Sequence, residues 1–208
     1  MYDLILLNPF SIQQADELGK LVDLLAEFPD LPNFSMLNWP ENRASLMYKL
    51  VTGASYTTNR GGIFALSDGE KYLAISGFHR LEIEDGKWSD DVFVCGSRTL
   101  VRREYRHHLL VSTYLIPAQY QAVRKRQGKM MIFCFDSSEE SSLYKIYKDG
   151  KFNLFLRNKL SNFDEIYGDM KIHDKPVYVN FTKHNVLYKK LDPNFEFDWS
   201  TIEVKDGA

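Results

Sequence analysis

The chain has 208 residues, 44% of them hydrophobic, enough to bury a sizeable core as a single domain over 1–208. Its 28 acidic residues nearly cancel 26 basic ones, for a formal charge of −2 and a pI near 6.2, which excludes a general polyanion binder and confines any basic function to a local patch. The two cysteines, Cys95 and Cys134, stand far apart in apolar runs, which excludes a disulfide framework or a zinc-ligand spacing and fits reduced, inert thiols.

The chain opens MYDLILLNPF, with no basic leader region and an apolar run far shorter than the ~20 residues of a spanning helix. A cytoplasmic chain without membrane attachment is the expectation. Residues 4–7 predict a strand, closed by Asn8-Pro9. Ser11 with Gln14 fits a capping box, and Ile12, Ala15, Leu18, Val22 and Leu25 follow on one helical face ending before Pro29. After a turn-rich aromatic stretch, Pro40 and then Leu46, Met47, Leu50 and Val51 predict a second helix, stopped at Gly53. Strands at 63–66 and 72–83 flank the hairpin signal Ser67-Asp68-Gly69, and Glu84-Asp85-Gly86-Lys87 turns into a third strand at 92–101. These strands read as an antiparallel meander.

The meander runs into REYRHHLL at 103–110, preceded by Arg102. Leu110, Tyr114, Ile116, Tyr120 and Val123 then predict a helix whose end carries Arg124, Lys125, Arg126 and Gly128. Cations beside a helix N-terminus suit a phosphate, because free N–H groups and the positive dipole end point there; a solvated charged turn is the equally weighted alternative. Pro117 falls inside the pattern, so the helix either kinks there or properly begins there, and the second option weakens a phosphate site. The wholly apolar run at 130–135 predicts a strand buried on both faces, joined to the preceding one through a helix as a parallel βαβ unit. Asp136-Ser137-Ser138 caps a helix through Leu143, Tyr144, Ile146 and Tyr147 to Gly150; strands at 177–181 and 186–191 follow, and the last residues read as frayed.

Leu100-Val101-Arg102-Arg103-Glu104-Tyr105-Arg106 resembles the V-x-P-x-Y-R lead-in of the GNAT superfamily of N-acetyltransferases. Leu143-Tyr144-Lys145 with Gly150-Lys151-Phe152 resembles that family's L-Y-E-K-x-G-F segment, and the element order matches over nearly the whole chain. The resemblance implies an α/β (α+β) fold with a GNAT-like mixed, mostly antiparallel central sheet, a parallel βαβ unit and helices on both faces. It also implies acetyl-CoA as acyl donor, held at Leu100, Val101, Arg102, Arg106, His107, His108, Leu109, Leu110 and Val111.

Arg106 heads the family loop [Q/R]-x-x-G-x-[G/A], but Leu109 and Val111 stand where glycine, and glycine or alanine, are the rule. Glycine permits positive φ and close backbone approach; a helical 106–111 would need no positive φ, with Arg102, Arg103, His107 and His108 supplying charge-assisted bonds. The resemblance further implies Tyr144 as general acid for the leaving thiolate, although Tyr144 and Tyr147 also suit core positions on one helical face. No motif marks the base. Glu82, Glu84 and Asp91 are candidates by location alone, and no local pattern supports Cys95 as a nucleophile. His107-His108 is not a metal pair, since adjacent helical residues diverge and His79, His173 and His184 add no ligand spacing. The aromatics at 28–39 and 194–199 fit either a substrate groove or a packed core and tail.

The leading expectation is transfer of acetyl to a primary amine on a small molecule or a protein. A catalytically inactive GNAT-fold binding or interaction module is the alternative, and local nucleic-acid binding through 102–108 and 124–126 ranks last. No motif specifies the acceptor or the oligomeric state.

Overall fold

The computed structural model describes residues 1–7, 15–28, 60–84, 86–136, 156–179 and 182–203. The expected second helix at 40–53, the Ser11–Gln14 capping box, the aromatics of 29–39 and the helix carrying Tyr144 lie outside the described residues. The chain divides into two compact units, Met1–His79 with Arg98–Gln119, and Arg80–Ser97 with Tyr120–Ala208.

In the first unit, β1 (Asp3–Leu7), β2 (Gly61–Ser67) and the first part of β3 (Tyr72–Glu84) form antiparallel ladders, Leu4 opposite Leu66 and Ile63 opposite Gly77. The β2–β3 hairpin is built from the predicted turn chemistry. The Asp68 carboxylate accepts the N–H groups of Glu70 and Lys71 at 3.0 Å each, Ser67 Oγ accepts that of Gly69, and Gly69 takes φ 101°, a conformation that costs glycine little. The end of β4 (Lys87–Val101) joins here, with the Arg102 N–H donating to the Leu73 carbonyl at 2.9 Å.

On one sheet face, α1 (Ala15–Leu25) buries Leu21, Leu24 and Leu25 completely against Leu7, Ile63, Ala65, Tyr72 and Ile75. Because side chains alternate along a strand, Leu66 points the other way and packs with Leu73, Ala74, Leu110 and Leu115. Helical segments therefore cover both faces of this unit's sheet, as the sequence predicts.

In the second unit the strand order is β3-β4-β5-β8-β6, with β7 also on β8. Here β5 is Met130–Asp136, β6 Lys171–Ile172, β7 Val177–Val179 and β8 Thr182–Lys190. β4 and β5 pair in parallel, from Val92 opposite Met130 to Cys95 opposite Phe133, through the crossover that contains α2 (Ile116–Lys125). The βαβ unit is thus present, and Met130, Met131 and Ile132 are fully buried, as an all-apolar strand requires. β8 pairs antiparallel with β5, β6 and β7.

α2 ends differently from the simple glycine stop expected. Gln127 adopts the left-handed conformation at φ 59°, and the Gly128 N–H returns to the Val123 carbonyl at 3.0 Å, a Schellman closure. Gly128 is needed for space: a Cβ would fall 2.5 Å from Val123 Cγ1 and 2.9 Å from the Phe93 ring.

The short helix α3 (Phe163–Tyr167) and strand β6 were not foreseen. The expectation of a frayed end is corrected up to Glu203. Phe195, Phe197 and Trp199 pack onto the core of Leu81, Val92, Val94, Met130, Ile132 and Val186, and Ile202 is 4% exposed. Aromatic burial accounts for this order, so 194–199 is a packed tail. Among the described residues, no helix is long and apolar enough to cross a membrane.

Candidate functional site

The stretch after β4 does not enter one continuous α-helix. Residues Arg103–His108 form a 3-10 helix, Leu109 turns left-handed at φ 54° and ψ 29°, and Val111–Leu115 forms a π-helical turn before α2. Pro117 explains the π turn. In an α-helix its ring would meet the carbonyl four residues back and its missing N–H would leave a gap; the wider turn, with the Ile116 N–H reaching the Val111 carbonyl, accommodates both. The α-helix proper begins next to Pro117, yet helical backbone is already established from Leu110.

The expectation that 106–111 needs no positive φ is corrected at Leu109. This residue holds the conformation that a glycine at its place would adopt freely, at a cost of about 1–2 kcal/mol for an L side chain. Val111 avoids the difficulty foreseen for a β-branched residue: it sits in the helical turn and packs its half-buried side chain against the cluster of Leu66, Leu73, Leu110 and Leu115. The first backbone bond into the helical segment is Thr113 N–H to Leu109 carbonyl, at 2.9 Å. The left-handed Leu109 therefore stands directly before a helix start, where backbone N–H groups and the positive dipole end suit an anion.

The surrounding cations separate into two sets. Arg102, expected to face phosphate, is only 5% exposed and is bound elsewhere. Its Nε donates to the Tyr72 carbonyl at 2.6 Å, one Nη to Glu27 Oε1 at 2.5 Å and the other to Asp23 Oδ2. Burial alone would lower the guanidinium's pKa; the two carboxylates outweigh it and the net shift is upward. Arg103 is exposed, but its N–H and guanidinium are also held by Glu27, on Oε2 at 3.1 Å and on the carbonyl at 3.3 Å. Glu104 pairs with Lys71 at 2.6 Å, which raises the lysine pKa.

Arg106, His107 and His108 remain on the exposed surface of the 3-10 helix. The Arg106 guanidinium lies 5.6 Å from the centroid of the Phe28 ring, and His108 meets Tyr105 edge-on at 5.4 Å. Leu100 packs into the α1-facing core and Val101 into the opposite cluster.

The three carboxylates proposed as base each have a local partner. Glu82 accepts the Gly86 N–H at 2.8 Å, Glu84 pairs with Lys87 at 3.5 Å, and Asp91 pairs with Lys129 at 3.2 Å. Cys95 is buried with its pKa well above the ordinary thiol value, and burial raises Cys134 to about 12, so both stay protonated and unreactive.

Two features escaped the sequence reading. One is the Arg102 hub, whose partners lie 79 and 75 residues away; the spacing of Asp23 and Glu27, four apart on one helical face, was its only signal. The other is the irregular end of β4, where Gly96 at φ 74° and Arg98 at φ 49° follow directly on the last parallel pair, Cys95 opposite Phe133.

No family model matches the chain, and no curated protein sequence matches it. Solved structures do. An acetyltransferase from Streptococcus agalactiae 2603 is similar at 12% identity with a TM-score of 0.53, over 91% of this chain and 98% of that one. An aminoglycoside 6'-N-acetyltransferase complexed with coenzyme A is similar at 13% identity and a TM-score of 0.51, over 93% and 99%. The ribosomal-protein-S18-alanine N-acetyltransferase from Escherichia coli is similar at 11% identity and a TM-score of 0.51, over 95% and 100%. At these identities the likeness is one of fold: the chain has the fold of the GNAT N-acetyltransferases, in divergent form.

Proposed function

We propose that this protein transfers an acetyl group from acetyl-CoA to a primary amine, and that the segment from Leu109 to Val111 holds the donor's diphosphate. The observation that carries this reading is Leu109 in a left-handed turn directly before a helix start, which gives a loop lacking glycine the backbone conformation that glycine would permit. Arg106 supplies nearby positive charge, and His107 and His108 add exposed imidazole groups beside it. Arg102, taken up by Asp23 and Glu27, no longer belongs to the proposed cradle.

In the reaction the neutral amine nitrogen adds to the thioester carbonyl carbon, the C–S bond breaks, nitrogen loses a proton and sulfur gains one. Tyr144 is the proposed donor of that last proton, on its position in the family-like segment. A second reading, a GNAT-fold binding module without catalysis, draws on the local partners of Glu82, Glu84 and Asp91. Thiol release from acetyl-CoA across a panel of amines decides between them. Turnover with any amine, reduced at least about tenfold by Tyr144→Phe, supports the enzyme; donor binding without release for every amine supports the module.

A further inference from the structure

We infer that Asp23, Glu27 and Arg102 are positioning residues, a brace that holds the donor loop so that Leu109 can keep a left-handed turn without glycine. The inference rests on the reading of 109–111 as the donor cradle. A leucine at φ 54° persists only where its surroundings over-determine it, and here two fixed points enclose it.

On the C-terminal side, Leu110 is 3% exposed, Leu115 is fully buried and Val111 packs beside them, while Thr113 donates to the Leu109 carbonyl. On the N-terminal side the bonds converge on one residue just past the end of α1. Glu27 accepts Arg102 through Oε1, the Arg103 N–H through Oε2, and the Arg103 guanidinium through its carbonyl. Asp23, one turn earlier in α1, takes the other Arg102 Nη, and the Tyr72 carbonyl takes Nε.

The brace costs the loop no phosphate-facing charge that it needs. Arg102 is buried and balanced by two carboxylates, whereas Arg106, His107 and His108 stay exposed. The division of labour is therefore between a buried arginine that fixes the entry to the loop and an exposed arginine, flanked by two histidines, that meets the ligand. Phe28, directly after Glu27, lies under Arg106 and extends the same contact to the next turn of the loop.

The test is a double-mutant cycle of Glu27→Gln and Leu109→Gly, read by amide hydrogen exchange over 109–113 without ligand and by the Kd of acetyl-CoA. Glycine relieves the strained turn without replacing the ion pairs, so the cost of removing the brace must shrink in its presence. E27Q is expected to speed exchange of these amides and to weaken acetyl-CoA about tenfold in the native background, but less than about threefold in the L109G background. Equal effects in the two backgrounds, or no effect in either, overturn the brace. If wild-type protein does not bind acetyl-CoA, the proposed function falls while the exchange cycle still decides the brace. Should E27Q not fold, Asp23→Asn carries the same cycle through the other half of the hub.

Discussion

Leu109 concentrates the chemistry of the loop in one residue. At an ordinary position glycine is less stable than alanine, because it loses more backbone freedom on folding. At φ 54° the order reverses, since only alanine retains a Cβ that crowds the carbonyl. Both substitutions remove the half-buried leucine side chain, so that loss cancels in the comparison. Leu109→Gly is accordingly expected to be more stable than Leu109→Ala by about 1 kcal/mol in urea unfolding. At this scale the sequence was only partly legible. The apolar runs around Cys95 and Cys134 announced their burial, and the position of Leu109 in the family-like loop flagged it as unusual. The fate of Arg102 was hidden, because its partners are distant in the chain and a charge cluster reads the same whether it is solvated or paired.

At the level of elements, polar bonds fix α1 to the sheet beside its apolar face. Glu17, in the first turn of α1, accepts the hydroxyl of Tyr72 from β3, with Lys20 at 3.1 Å. The Tyr72 bond, and after it Lys20, holds the Glu17 carboxyl below its ordinary range despite partial burial. Burial, and then Glu17 itself, pushes the Tyr72 phenol far up, so it remains a donor. A carboxyl with a depressed folded-state pKa contributes its full stability above its unfolded value, roughly 4.3, and loses it as pH falls through the folded value. Stability should therefore drop as pH is lowered from about 4.3, and Glu17→Gln should reduce that drop by about 1 kcal/mol in denaturant titrations across the range. Element identity was legible wherever the hydrophobic period was clean, as in the meander, the crossover and β5. It failed where local chemistry overrode the period. The α-helix begins beside Pro117, one of the two options read there, but the π turn before it was not foreseen; Gln127 took the left-handed place expected of glycine, and the two-residue strand β6 and the five-residue helix α3 are too short to carry a period.

For the whole molecule, the fold is that of the GNAT N-acetyltransferases although Leu109 and Val111 stand where the sequence resemblance puts small residues. Architecture and site are separable here because the architecture depends on distributed burial and turn placement, whereas the loop depends on one backbone conformation. The sequence carried the first in many residues and the second in very few. The packed tail through Ile202 was missed for a related reason: Phe195, Phe197 and Trp199 have no strand or helix period, and only their burial against the second unit's core orders them. If the loop works as proposed, leucine and valine substitute for glycine by placing their side chains in or beside the core while the backbone stays open.

A structure of the protein crystallised with coenzyme A tests this most directly. The account predicts diphosphate oxygens within about 2.7–3.2 Å of the amide nitrogens of Leu109, Leu110 or Val111, with Leu109 still at positive φ and Arg102 still bound to Asp23 and Glu27. Diphosphate bound away from these amides, or bound only after Leu109 has left the left-handed turn, would contradict it.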